Sequence, residues 1–249
     1  MLKKLLLTFL LLLLSSSAFA GVNFDGSNDK LTTGSDLGIN AFPISFYIVC
    51  RRDTDALTYF FFLGDASDAN RYFALVNDGT NWQYHLRNDT GSPGAGWSVA
   101  SFADYDDANW HKFVCVSSAA NNHRLYVDGE LKATNTDSTN WNSENDVTGV
   151  GGIFDSSPTY GDCTVAEFAV WDTDLSATEA IALTSMNVKR APLQVSPAEL
   201  QLLWTLDDQA HNDTANSANG LTFRDNSANE NTGTASGCNA QAEEILSYP

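Results

Sequence analysis

The chain is 249 residues long and carries a net charge of −18, from 31 Asp and Glu against 13 Lys and Arg. That balance repels phosphate backbones and anionic headgroups, so nucleic acid is not an expected partner. Hydrophobic residues make up 43% of the sequence, enough for a sizeable core, and after the first twenty residues no run is long and apolar enough to span a membrane.

Residues 1–20 read as a secretory signal peptide. Lys3 and Lys4 form a positive start, Leu5 to Leu14 an apolar stretch, and Ala18-Phe19-Ala20 a cleavage site. The expected location is therefore secreted, extracellular or periplasmic. All four cysteines, Cys50, Cys115, Cys163 and Cys238, lie after the cut. An even count in an oxidising compartment suggests two disulfides, with three connectivities open. The pairing expected is Cys50 with Cys115, inside strand-like runs, and Cys163 with Cys238, tethering the tail; four buried free thiols are the alternative.

Val22-Asn23-Phe24 reads as a short strand, followed by the polar turn Asp25-Gly26-Ser27-Asn28-Asp29 and by Lys30 to Thr33. Ile44 to Arg51 is apolar on both faces of its alternation, and Tyr59 to Leu63 is more apolar still, which places that run in the middle of a sheet. Tyr72 to Val76 and Trp82 to Arg87 form a hairpin around a turn containing Asp78-Gly79. The glycine-rich stretch Gly91 to Gly96 reads as a surface loop ending at Trp97.

Trp110 to Leu131 organises the chain. Phe113 to Val116 and Leu125 to Val127 are apolar runs separated by Asn121-Asn122 and closed by Asp128-Gly129, dipeptides that tolerate positive φ, so a β-meander is expected. Val147 to Ile153 and Thr164 to Trp171 return to strand. Ser176-Ala177-Thr178-Glu179 is a capping box opening a short surface helix, and Ser196-Pro197-Ala198-Glu199 suggests a second, with Leu200, Leu202 and Leu203 packing inward.

Four stretches carry a family resemblance: Val22 to Leu31 (VNFDGSNDKL), Pro43 to Arg51 (PISFYIVCR), Trp110 to Leu131, and Val165 to Ala180 (VAEFAVWDTDLSATEA). Together they resemble the laminin-G-like (concanavalin A-like lectin/glucanase) jelly roll. The resemblance implies an all-β fold, a two-sheet antiparallel β-sandwich with one or two short surface helices. Residues 21–190 would form the sandwich and 191–249 an extension closing it. It leaves function open among glycan binders, adhesion modules and hydrolases.

The glucanase branch of that family carries Glu, Asp and Glu at alternate positions of one strand. The matching strand here has Glu167, Ala169 and Trp171, so the carboxylate pair that glycoside hydrolysis uses is absent from it. Sites in related domains also hold Ca2+ at the first turn with an acidic residue of the penultimate strand, which carries over to Asp25, Asp29, Asp162 and Glu167.

For a glycan, the candidates are Trp82, Trp97 and Trp141 beside polar loops, with Tyr84, His85 and Arg87 on the hairpin of Trp82. Trp110, Trp171 and Trp204 bound apolar strands and read as core. His111 and His123 read as surface or turn residues, and no histidine has triad or metal-ligand spacing. The expected function is a secreted, non-catalytic module recognising extracellular or cell-surface carbohydrate, with a Ca2+ requirement from the family site. An adhesive surface protein binding other proteins is the first alternative and an atypical glycoside hydrolase the second.

Overall fold

The computed structural model describes residues 21–34, 36–68, 70–88, 97–103, 105, 107–139, 141, 146–186, 188, 190–206 and 222–238. The expected leader and the Gly91 to Gly96 loop lie outside these residues, as do the side chains of Trp97 and Ser98. Strands β1 (Val22–Asp25) and β2 (Lys30–Thr33) flank the acidic turn. They are followed by β3 (Ile44–Arg52), β4 (Thr58–Gly64), β5 (Arg71–Asn77), β6 (Trp82–Asn88) and β7 (Trp97–Phe102). The meander is β8 (His111–Ala119), β9 (Asn122–Val127) and β10 (Glu130–Asn135). Then come β11 (Val147–Val150), the small hairpin β12 (Gly152–Ile153) and β13 (Thr159–Tyr160), the long β14 (Asp162–Trp171) and helix α1 (Ala177–Ser185). The last strands are β15 (Leu200–Thr205), β16 (Thr222–Phe223) and β17 (Gly233–Ser236).

Two antiparallel sheets pack face to face. The first runs β1-β14-β3-β8-β9-β10, with β15 beside β1 on the same edge of β14, and the second runs β16-β17-β2-β11-β4-β5-β6-β7. Alternation decides what lies between them: Phe46 and Ile48 of β3, Phe113 and Cys115 of β8, Phe61 of β4, Phe73 of β5 and Trp82 of β6 all point into one continuous core. Each such large apolar side chain contributes roughly 1.5–3 kcal/mol on burial. Asp128 (φ 47°) and Gly129 (φ 90°) both take positive φ, the conformation of a tight two-residue hairpin turn whose twist matches the strands. The earlier turn sits one residue before its expected place, since Ala119 pairs with Asn122.

The outer face of the first sheet is apolar and roofed. Tyr47, Val49, Val116, Tyr126, Trp171 and Leu203 pack with Leu175, Ala180 and Leu183 of the α1 segment. Ser176 and Glu179 form the expected capping box. The second expected helix is absent: Ala191–Gln194 is a single 3-10 turn, and Leu200 begins a strand paired to Trp171. Pairing along β14 satisfies the backbone of Leu200–Thr205 and buries both its faces, which outweighs the local Ser-Pro-Ala-Glu signal. Beyond residue 190, β15 joins the first sheet, while β17 and β16 join the second at β2.

The expected disulfides are not formed; Cys50, Cys115, Cys163 and Cys238 are free and buried. Cys50 stands opposite His111 while Cys115 stands opposite Phe46, so the two thiols are four strand positions apart, about 13 Å, and no bridge spans that distance. Cys163 and Cys238 lie within electrostatic reach of each other in the core, but the Cys238 thiol donates to Lys30 O at 3.4 Å and no bridge is formed. Burial pushes all four thiols up, Cys238 to about 12, which keeps them protonated and unreactive. Among the described residues no helix is long and apolar enough to cross a membrane.

Candidate functional site

The residues expected to bind a glycan fall on two faces of one strand. In β6 the even positions Trp82, Tyr84 and Leu86 join the core, and the odd positions Gln83, His85 and Arg87 point outward from the second sheet. Trp82 is 1% exposed, lies 4.7 Å from the Phe60 ring and donates its indole N–H to Tyr105 O at 3.0 Å. The Tyr84 hydroxyl is bonded to Ser117 Oγ at 2.7 Å inside the sandwich. Trp141, 4% exposed, packs on Phe73 with ring centroids 4.5 Å apart. These three expected ligand residues are core side chains, because loop-flanking aromatics at the ends of a sandwich fold in to close it. Trp97 is the register partner of Arg87.

His85 and Arg87 meet residues that the sequence did not single out. Register places Arg87 beside Tyr72 and His85 beside Ala74, with Tyr59 opposite Val76 on the next strand. The Arg87 guanidinium donates to the Tyr72 hydroxyl, and Tyr59, Tyr72, Arg87 and Asp155 lie within electrostatic reach of one another. Their bodies pack over Ala74 and Val76, which are fully buried on an outward-facing row. Two phenols, a guanidinium and a carboxylate thus converge, with half-buried Tyr160 alongside.

One side of this face is walled by the β12–β13 segment. Phe154 packs edge-on against Phe62 at 6.1 Å, and Gly149 allows that approach, since a Cβ there would lie 2.7 Å from the Phe154 ring. Burial sets the titration of the face. It pushes the Tyr72 phenol up to about 12, with Tyr59 adding to the rise and Arg87 opposing it. It pushes His85 down to about 4, with Asp78 pulling up and Arg87 pushing down, so both groups are neutral around pH 7.

The four residues expected to hold Ca2+ do not form one donor set. Asp25 and Asp162 are register partners, and burial followed by the charges of Asp53 and Asp25 pushes the Asp162 carboxyl up. Asp25 Oδ1 accepts from Ser27 N, while the fully buried Asp29 accepts from Asp25 N through Oδ2 and is itself pushed up by burial. Asp25 and the Oδ2 of Asp29 serve the turn, while Asp29 Oδ1 is buried without a hydrogen-bond partner among the described residues. Glu167 stands about 16 Å further along β14, under the roof of the first sheet, where its Oε1 accepts from Arg190 N at 2.7 Å. Among the described residues no group of three or more His, Cys, Asp or Glu is placed to hold a metal ion. The set does not fit a Ca2+ site, which needs six to eight oxygens around one point. Glu167 is 1% exposed under that roof.

The histidines expected at the surface are buried. His111 sits between Asp128 Oδ2 (2.6 Å from Nδ1) and Asp107 Oδ1 (2.9 Å from Nε2), and His123 between Ser117 Oγ and Ala120 O. The His111 partners come from two separate turns, which nothing in a single sequence marks, whereas Ser117 is the register partner of His123 across its own hairpin.

Comparison with known proteins follows this geometry. The family model described as the concanavalin A-like lectin/glucanases superfamily matches residues 25–181. Among solved structures, a candidate carbohydrate-binding protein of Bacteroides ovatus aligns at TM-score 0.57 and 13% identity, over 92% of this chain and 61% of that one. The heptameric SAP-like pentraxin of Limulus polyphemus aligns at 0.56 and 13%, over 69% and 84%. The CBM40 module of the Ruminococcus gnavus IT-sialidase aligns at 0.55 and 16%, over 67% and 97%. At these identities the likeness is one of fold. No curated protein matches the chain.

Proposed function

Because the chain belongs to the concanavalin A-like lectin/glucanase superfamily, whose fold serves many functions, we propose a function from the site itself: non-catalytic binding of an extracellular glycan at the outer face of the second sheet. The observation that carries this reading is the convergence of Tyr59, Tyr72, Arg87 and Asp155 beside His85. The half-buried rings of Tyr59 and Tyr160 offer faces to sugar C–H groups, and the phenol, guanidinium and carboxylate groups offer fixed donors and acceptors to hydroxyls. The R. gnavus module, solved with α2,3-sialyllactose bound, supports a glycan ligand on this architecture. Export by residues 1–20 would bring the face to such ligands.

The test is a glycan array probed with the mature chain and with Arg87→Ala, each with and without chelator. Binding to a defined glycan class should fall at least about tenfold in the variant, the loss expected for a charge-assisted hydrogen bond, and should survive chelation. Absence of glycan binding, with saturable and sugar-insensitive binding to a surface protein, would replace this reading by the adhesive one.

A further inference from the structure

Strand alternation puts Gln83 and His85 side by side on the outward face of β6, and the turn before that strand supplies Asp78. Gln83 Nε2 donates to Asp78 Oδ2 at 2.7 Å, and Gln83 Oε1 lies 2.6 Å from His85 Nε2. Asp78 is anchored by the turn it opens: its Oδ1 accepts from Thr80 N at 2.9 Å and Asn81 N at 2.7 Å. Burial alone would raise that carboxyl, but the hydrogen bonds from Asn81 and Thr80 bring it below its usual range, so it is ionised.

An ionised carboxylate only accepts hydrogen bonds. Gln83 must therefore turn its NH2 toward Asp78 and its carbonyl toward His85. A carbonyl cannot donate, so the bond at 2.6 Å requires the proton on His85 Nε2 and leaves Nδ1 as the acceptor nitrogen. The charged groups acting on His85 are Asp78 and Arg87, and the strands on either side present Ala74 and Val99 at its register.

We propose that Asp78, acting through Gln83, fixes the proton of the neutral His85 imidazole on Nε2, so that the outer face presents one donor and acceptor pattern. This rests on the glycan reading of that face and assigns Asp78 and Gln83 as positioning residues.

The experiment is nitrogen-15 NMR of histidine-labelled protein across about pH 4 to 8, on wild type, Gln83→Met and Asp78→Asn. Gln83→Met removes the amide at nearly constant volume, and Asp78→Asn keeps an acceptor for the turn while allowing Gln83 either orientation. The wild type should show His85 protonated on Nε2 alone, and both variants should admit the Nδ1–H form. A wild-type proton on Nδ1, or an unchanged tautomer ratio in either folded variant, overturns the relay. Glycan affinity of the wild type should vary less than about twofold between pH 5 and 8, as expected when the His85 imidazole stays neutral there. A chain that keeps the Nε2–H imidazole yet binds no glycan overturns the glycan reading and leaves the relay standing.

Discussion

Tyr47, Val116, Tyr126 and Trp171 on the outside of the first sheet are closed under α1 and the segment that follows it, whereas Tyr59, Gln83, Arg87 and Tyr160 on the outside of the second sheet remain half-buried. The two faces use their charged groups oppositely. On the roofed face Lys112 Nζ donates to Met186 O at 2.5 Å and Glu167 accepts from Arg190 N, so each buried charge holds one backbone group of the covering segment. Burial pushes the Lys112 ammonium down, and the charges of Asp128 and Glu167 oppose that shift. On the half-open face the polar ends meet one another and solvent. A buried charge spent on a backbone partner stabilises; one left at a rim among phenols can change partners when a ligand arrives.

The roofed face should break most severely. Trp171→Ala removes a fully buried ring and the indole N–H donated to Val195 O, and should cost about 3–5 kcal/mol in chemical denaturation. A cost under about 1 kcal/mol would mean that the roof is not part of the cooperative unit.

The half-open face should show itself next, through pH. His85 is held down to about 4 from 6.5, so the unfolded chain binds a proton that the folded chain refuses between those values. Stability from this group is complete above about pH 6.5 and is lost as pH falls toward 4, by about 3 kcal/mol. His123, also pushed down by burial, acts in the same direction. His111 acts with the opposite sign: burial would lower it, but Asp128 and Asp107 raise it, so its contribution is present below pH 6.5 and is lost as pH rises. Urea midpoints measured in this acid window should fall for the wild type, and His85→Gln should reduce that fall by close to one proton; an unchanged slope would contradict a buried neutral His85.

The smallest effect belongs to the anchor. Glu167→Gln keeps an acceptor for Arg190 N but removes the charge near Lys112, and should cost about 1–2 kcal/mol while leaving any glycan affinity unchanged. A change in affinity would join the two faces, which the sandwich core otherwise separates.

Much of the fold was legible because its signals are local. Apolar alternation marked β3 to β6, β8 and β9, Asp128-Gly129 marked the turn that both positive φ values realise, and Ser176 with Glu179 marked α1. His85 and Arg87 were legible as polar residues on a hairpin, and the alternation of β6 already separated them from Trp82 and Tyr84. Tyr59, Tyr72 and Asp155 were not legible as their companions, because β4, β5 and the segment after β12 are brought together by register and crossover. The same holds for the cysteines: their number suggested bridges, and only the pairing of Cys50 with His111 shows that Cys115 is out of reach.

The sequence by itself therefore determined an acidic, all-β chain with a meander at its centre and one capped helix, since period, turn chemistry and capping act within a few residues. Tertiary structure alone decided which face is roofed, which carboxylates serve turns and which side chains converge at Arg87. Those outcomes depend on the register and stacking of strands far apart in the chain, where a shift of one residue sends every side chain to the other face.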